Sequence, residues 1–225
     1  MSPLGAADLA PLALSLRVAT TATLLAAALG VPLAWLLARR RFAGRGALEL
    51  LVLLPMVLPP TVVGYYLLLL VGRRAPLGIA AEAVFGRPVV FTPAAAVLAT
   101  LVAASPFLVR AAQAGFEQVD AAYEDAARTL GRSELSVFLT VTVPLAARGI
   151  LAGAALCFAR AMGEFGATLM LAGNIPGRTQ TASLAVYDAF ESGDATRAAW
   201  LAGLLSVTAL AALWLLTQAG RRPAA

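Results

Sequence analysis

The sequence predicts an all-α integral membrane protein with five transmembrane helices. Three observations carry that prediction. Of the 225 residues, 60% are apolar and 13% are charged, and the mean hydropathy is +0.84; soluble domains have roughly 45–50% and about 25%. Five stretches are apolar over the ~20 residues that a bilayer-spanning helix needs: residues 12–37, 48–71, 91–109, 150–171 and 198–217. The arginines collect between those stretches, where topology signals lie.

The same composition excludes several functions. There is no His, so a zinc site or a catalytic triad lacks its usual ligand or base. All 17 positive charges are arginine, so the lysine of a GxxxxGK[ST] phosphate loop is absent and ATP cannot be hydrolysed by that route. The single cysteine, Cys157, rules out an internal disulfide. The net charge of +5 is not arranged as a basic stripe with interleaved aromatics, which argues against nucleic acid. A membrane-embedded enzyme would need clustered catalytic groups near one face, and none stand out. A proton-coupled secondary transporter would rest on Glu164 alone and would more often show internal repeats.

The first span, 12–37, is longer than a bilayer requires, so it can tilt or let Arg17 snorkel at its end. Asp8 is the one charge before Arg17, and the segment does not read as a cleavable signal peptide. The second span, 48–71, holds Pro55, Pro59 and Pro60, which remove backbone donors and must kink or break it. Either it lines a pathway as a broken helix, or the kink serves helix packing; Thr61 follows the break in both cases. The third span is 91–109. The fourth, 150–171, carries Arg160 and Glu164 four residues apart, on one face of a helix. They serve either the pathway or a subunit contact, or form a self-neutralised pair that fixes packing. Before the fifth span, 198–217, residues 183–191 read as a short amphipathic helix and Asp194 as a cap. That helix is either a gate or receptor contact at the outer mouth or a packing element of the loop.

Arginine placement sets the expected orientation. If the five spans alternate, Arg39, Arg40, Arg41, Arg45, Arg110, Arg128, Arg132, Arg148, Arg221 and Arg222 share one side, and Arg73, Arg74, Arg87, Arg178 and Arg197 the other. Ten against five makes the first side cytoplasmic, with the N-terminus outside and the C-terminus inside.

The connection between spans three and four runs from Arg110 to Arg148, with residues 116–144 as the loop within it, and is too long for a simple turn and too polar for a span. It reads as two short helices. Asp120 caps the first, Glu124 and Asp125 stand near its start, Arg128 near its end, and Gly131 fits the left-handed position beyond it. Ser133 caps a second helix through Phe138, and Pro144 marks the entry to span four. Phe116, Tyr123, Leu130, Leu135 and Phe138 give this hairpin an apolar side, which is a docking surface or the inner face of a plain connector.

Asp125-Ala126-Ala127, Gly131 and Val141-x-Val143-Pro144 resemble the EAA motif of type I (MetI-like) ABC importer permeases, with Asp for Glu at 125 and Val for Ile and Leu at 141 and 143. The segment from Leu54 to Gly64 resembles the second-span motif of molybdate permeases. The segments from Tyr123 to Gly131 and from Ala159 to Ala167 resemble the same subfamily and its sulfate relatives. Asn174-Ile175-Pro176-Gly177-Arg178-Thr179 leans towards molybdate.

The resemblance implies one permease domain over 12–217 and a type I importer fold in the bacterial cytoplasmic membrane. Two copies of the chain would enclose the pathway. Two cytoplasmic ATPase subunits would bind ATP and Mg, with no cofactor held in this chain. Glu124, Asp125, Ala126, Ala127, Gly131 and Arg132 would form a coupling helix in a cleft of the ATPase. A periplasmic or lipid-anchored binding protein would deliver the oxyanion. The implied cargo is molybdate; sulfate, thiosulfate and tungstate stay open, because simple chemistry does not separate such tetrahedral dianions.

Overall fold

The computed structural model describes residues 6–221, and every regular element among them is helical. Arg222, one of the tail arginines in the topology tally, lies outside the described residues.

Helix α1 (Ala6–Arg39) is continuous over 34 residues, about 51 Å at 1.5 Å per residue. Its buried stripe of Ala19, Ala22, Ala26, Ala34 and Leu37 is mostly small, so neighbouring helices approach closely. The second span is broken, one of the two outcomes expected of its prolines. α2 (Arg45–Val57) and α3 (Pro60–Val71) meet at 119°. The reason is local. A residue before proline is held out of the α region, so Pro60 extends Pro59 (ψ 137°) and Pro59 extends Leu58 (ψ 143°). Pro60 then opens α3 at a position where its missing N–H removes no bond. The following connection contains a short helix that the sequence did not reveal, α4 (Pro76–Phe85), closed by Gly86 at φ 68°.

α5 (Pro93–Glu117) starts at Thr92, whose hydroxyl accepts from the Ala95 N–H. It runs past the expected end at residue 109 because its polar residues find partners. Arg110 bonds Glu49 of α2 at 2.6 Å, and buried Gln113 donates to Glu117 at 3.0 Å.

The loop is not the hairpin expected. Only α6 (Ala121–Thr129) is a separate helix. α7 (Glu134–Val137) passes through a π-helical stretch, Phe138–Thr142, directly into α8 (Val143–Met162), so Glu134–Met162 is one rod of 29 residues. Pro144 accounts for the π turn: it has no N–H and its ring crowds the carbonyl four residues back. The widened turn bonds the Val143 N–H to the Phe138 carbonyl instead. The fourth span therefore begins well before residue 150. It also breaks at Gly163–Phe165 and resumes as the short α9 (Gly166–Ala172), so Glu164 lies beyond the end of the helix that carries Arg160, not on its face. α10 (Ala182–Glu191) and α11 (Ala195–Arg221) follow, with Asp194 accepting from the Arg197 N–H at 2.9 Å.

α1, α5 and α8 pack on one another at the centre; α11 lies against α8 and α10, and α3 against α9. α5 and α8 nearly touch through glycine. A Cβ on Gly149 would lie 2.7 Å from the Gly115 Cα, and one on Gly153 2.9 Å from the Leu108 carbonyl oxygen. At the loop end, Phe138 meets Trp35 of α1 edge-on at 5.4 Å and Phe116 of α5 at 6.3 Å. Among the described residues, four helices are long and apolar enough to cross a membrane, and α2 with α3 form an apolar pair bent by 119°, either a broken fifth span or a re-entrant loop. Outward residues such as Leu24, Leu29, Val207 and Leu210 are apolar and exposed.

Candidate functional site

The breaks in spans two and four lie against each other. A Cβ on Gly166 would meet the Pro60 Cβ and the Thr61 nitrogen, both at 3.0 Å; one on Gly64 would meet the Met170 Cβ at 2.7 Å and the Ala167 Cα at 2.8 Å. Both half-helices can come this close only because each presents glycine. Glu164 sits in the fourth-span break and is 2% exposed. One carboxylate oxygen accepts from the Ala167 N–H at 2.8 Å, satisfying an orphan donor at the start of α9. The other lies 2.7 Å from the Arg160 guanidinium. Its backbone carbonyl accepts from the Ser183 hydroxyl of α10 at 2.7 Å, and the next residue back, Ala182, donates its N–H to Ser15 of α1 at 2.8 Å. A buried carboxylate is tolerable here because helix end and guanidinium each compensate one oxygen. Arg160 remains 28% exposed.

The second constellation is the anchored loop. Asp120 caps α6 through the Ala122 N–H at 2.9 Å. Beyond α6, Gly131 takes φ 79°, and its N–H and that of Arg132 return to the Arg128 and Ala127 carbonyls. Arg128 holds the corner: it bonds Asp125 at 2.7 Å and grips Glu134 with two nitrogens at 2.7 and 3.2 Å. The hydrogen bond from Arg128 keeps the Glu134 carboxyl below its ordinary value, and the bonds to Glu134 and Asp125 raise the Arg128 guanidinium above its own. Glu124 points inward instead. It is 6% exposed, accepts from the Thr142 hydroxyl at 2.9 Å and lies 3.3 Å from the Arg39 guanidinium. Arg39 also donates to the Val119 carbonyl at 2.6 Å. One carboxylate thus joins the end of α1, α6 and the π turn, and Arg39 extends the tie to the turn after α5. Tyr123, Leu130, Leu135 and Leu139 are exposed on this loop beside the charged Asp125, Arg132 and Glu134.

Residues 30–220 match the family described as binding-protein-dependent transport system inner membrane component. The chain belongs to that family. This inner membrane component is 42% identical over 207 residues to the molybdenum transport system permease protein ModB of Escherichia coli strain K12, covering 90% of each chain. Its fold matches a chain of the MetNI methionine ABC transporter in an inward-facing conformation, with TM-score 0.70, 16% identity and 92% of each chain covered. It also matches a chain of a bacterial alginate ABC transporter in complex with an alginate pentasaccharide-bound periplasmic protein, with TM-score 0.74, 13% identity and 95% and 78% coverage.

Within this inner membrane component, the residues singled out in the sequence fall into two places. Pro59, Pro60 and Thr61 meet the fourth-span break that holds Glu164 and Arg160, while Pro55 stays inside α2. Glu124, Asp125, Ala126, Ala127, Gly131 and Arg132 belong to the anchored loop, with Ala127 buried and Ala126 exposed; Pro144 stands at its seam with α8. Sequence reasoning missed Arg39 and Thr142 as partners of Glu124, Ser183 as a tie across the break, and Gly64 and Gly166 as its contact points. Only the glycines left a signal, as small residues beside the prolines.

Proposed function

We propose that this chain is the membrane-spanning subunit of an ABC importer that carries molybdate inward across the cytoplasmic membrane. Two copies would enclose the pathway, each resting on a cytoplasmic ATPase subunit that binds ATP and Mg, while a periplasmic or lipid-anchored binding protein supplies the oxyanion. The likeness to a molybdenum permease over nine-tenths of both chains carries the choice of cargo. In this reading the loop end of the bundle is cytoplasmic, the N-terminus is outside and the C-terminus inside.

The geometry suits that role. The outward face of α6 and the loop offers Tyr123, Leu130 and Leu135 to a partner, while Glu124 fixes the inward face to the spans. A push on the loop would therefore reach α1, α5 and α8 together. The two breaks give α3 and α9 separate short segments that can shift without bending a whole helix. Non-helical backbone of this kind is stable at membrane depth when it is packed against protein or lines a polar route.

The test is uptake of labelled molybdate by cells lacking their own importer and supplied with this chain, its ATPase and its binding protein. Uptake should require ATP, persist with a protonophore, and fall with excess tungstate but not sulfate. Preferential uptake of sulfate would overturn the cargo. Loss of uptake on collapse of the proton gradient, with ATP intact, would overturn the ATP-driven mechanism.

A further inference from the structure

A cavity of about 600 Å3 opens at the end of the bundle away from the loop, between α1, the start of α5 and the turn that follows α9. Its wall includes Arg17, Thr21, Val97, Arg178 and Gln180, and no acidic residue. Among the described residues, neither the Arg17 nor the Arg178 side chain has a hydrogen-bond or ion-pair partner, which sets them apart from Arg39, Arg110, Arg128 and Arg160.

Both side chains are exposed at the cavity, so each guanidinium is available to a ligand. Arg17 lies about 33 Å from Arg39 along the continuous helix α1, close to the ~30 Å thickness of the hydrocarbon core. With Arg39 at the cytoplasmic boundary, Arg17 reaches the outer one, where the positive-inside rule disfavours arginine. Arg178 is held there by a fixed turn. Its own N–H and those of Thr179 and Gln180 converge on the Ile175 carbonyl. Buried Thr179 ties the turn further, donating to the Gly173 carbonyl and accepting from the Ile175 N–H, each at 3.1 Å.

We propose that this cavity binds a tetrahedral oxyanion between the guanidinium groups of Arg17 and Arg178. Planar guanidinium groups suit such anions because each can donate two parallel hydrogen bonds. The anion is either the dissolved cargo, taken up at the outer mouth, or the phosphate of a lipid headgroup. The first alternative rests on the proposed importer function; the second does not.

The experiment uses the purified complex of this chain with its ATPase, in nanodiscs of phosphatidylcholine alone and of phosphatidylcholine with phosphatidylglycerol. Equilibrium binding of labelled molybdate is measured for the native complex and for Arg17→Gln, Arg178→Gln and the double variant, each checked for native yield of the assembled complex. Exposed arginines should be replaceable without loss of assembly, and Arg178→Lys, which keeps the charge, guards against a packing effect.

For a dissolved oxyanion, molybdate binding in phosphatidylcholine weakens by roughly tenfold or more per arginine removed, Arg178→Lys loses less, and Arg87→Gln, an exposed arginine outside the cavity, changes nothing. For a lipid phosphate, the native complex retains phosphatidylglycerol through delipidation and the double variant does not, while molybdate binding is the same in both. If the double variant keeps native molybdate binding and native phosphatidylglycerol retention, the site is refuted. If the native importer carries sulfate, the cargo assignment fails separately, and the same binding series with labelled sulfate decides the cavity.

Discussion

The carboxylate of Glu124 lies 3.3 Å from the guanidinium of Arg39, so the loop helix α6 is tied to the end of the first span. Both side chains are largely out of water, with 8% and 19% exposure. Glu124→Gln keeps an acceptor for the Thr142 hydroxyl and removes the countercharge of Arg39. Breaking a buried pair from one side costs ~3–5 kcal/mol; we expect about 3 kcal/mol here, since Arg39 keeps its bond to the Val119 carbonyl. Thermal unfolding of the purified complex should show the loss, and molybdate uptake should fall with it. The double change Arg39→Gln with Glu124→Gln should recover part of both. A single variant with native stability and uptake would remove the clamp from the mechanism.

The Arg128–Glu134 contact predicts an acid sensitivity of the loop. Glu134 is held below its ordinary carboxyl value. Its contribution is present above that ordinary value and is lost as pH falls through the lower folded value. Retention of the ATPase on the immobilised chain should therefore weaken only in acid. In Arg128→Gln it should already be weak at neutral pH and lose that acid step. An unchanged acid profile in this variant would point to other carboxylates.

Gly131 has φ 79° and open space around its missing side chain. Strain, not collision, sets the cost of substitution there, at about 1 kcal/mol for alanine and less for asparagine, which tolerates the left-handed region. Gly131→Asn should bind the ATPase nearly as the native chain does. Gly131→Asp adds a charge to the docking face and should reduce co-purification and uptake while the chain still inserts. If Gly131→Asp keeps the ATPase at native stoichiometry and transports, this loop is not the coupling element.

For the glycines between the breaks, the expectation is collision. Gly64→Ala would place a Cβ 2.8 Å from the Ala167 Cα, so backbone would have to move to admit it. The variant should assemble poorly or lose uptake. Gly203→Ala is the control: nothing lies within 4 Å, so higher helix propensity should stabilise α11 by up to ~1 kcal/mol. Equal behaviour of the two in an unfolding assay would contradict the packing of α3 on α9.

Glu164 separates charge from capping. Glu164→Gln can still accept from the Ala167 N–H, whereas Glu164→Ala leaves that buried donor unpaired. The alanine variant should be less stable than Arg160→Gln with Glu164→Gln by about 1–2 kcal/mol. Equal melting temperatures would mean that the cap contributes nothing.

The long apolar helices, the caps and the first loop helix, α6, were legible because each depends on neighbours in sequence. Asp120, Gly131, Ser133 and Asp194 do what their residue types suggest. The misreadings came from effects that cross this range. Ser133 marked a helix start correctly, but nothing near Phe138 announced that the helix would continue, since Pro144 normally signals a boundary and here only widens a turn. Glu124 read as a charge for a partner protein because its own partners, Arg39 and Thr142, stand on other elements. Arg160 and Glu164 had helical spacing, yet Gly163 ended the helix between them.

The near-contact of Gly115 and Gly149 divides the rod from Glu134 to Met162 almost in half, with about 22 Å towards the loop and about 20 Å towards the break. A rod pressed against its neighbour at the middle is a balance beam with a glycine fulcrum. Tilting it by a few degrees moves both tips by similar distances in opposite senses. The stroke delivered to the loop would then arrive at Gly163 reversed and nearly undiminished, and bulk added at the fulcrum would jam the beam without touching either end.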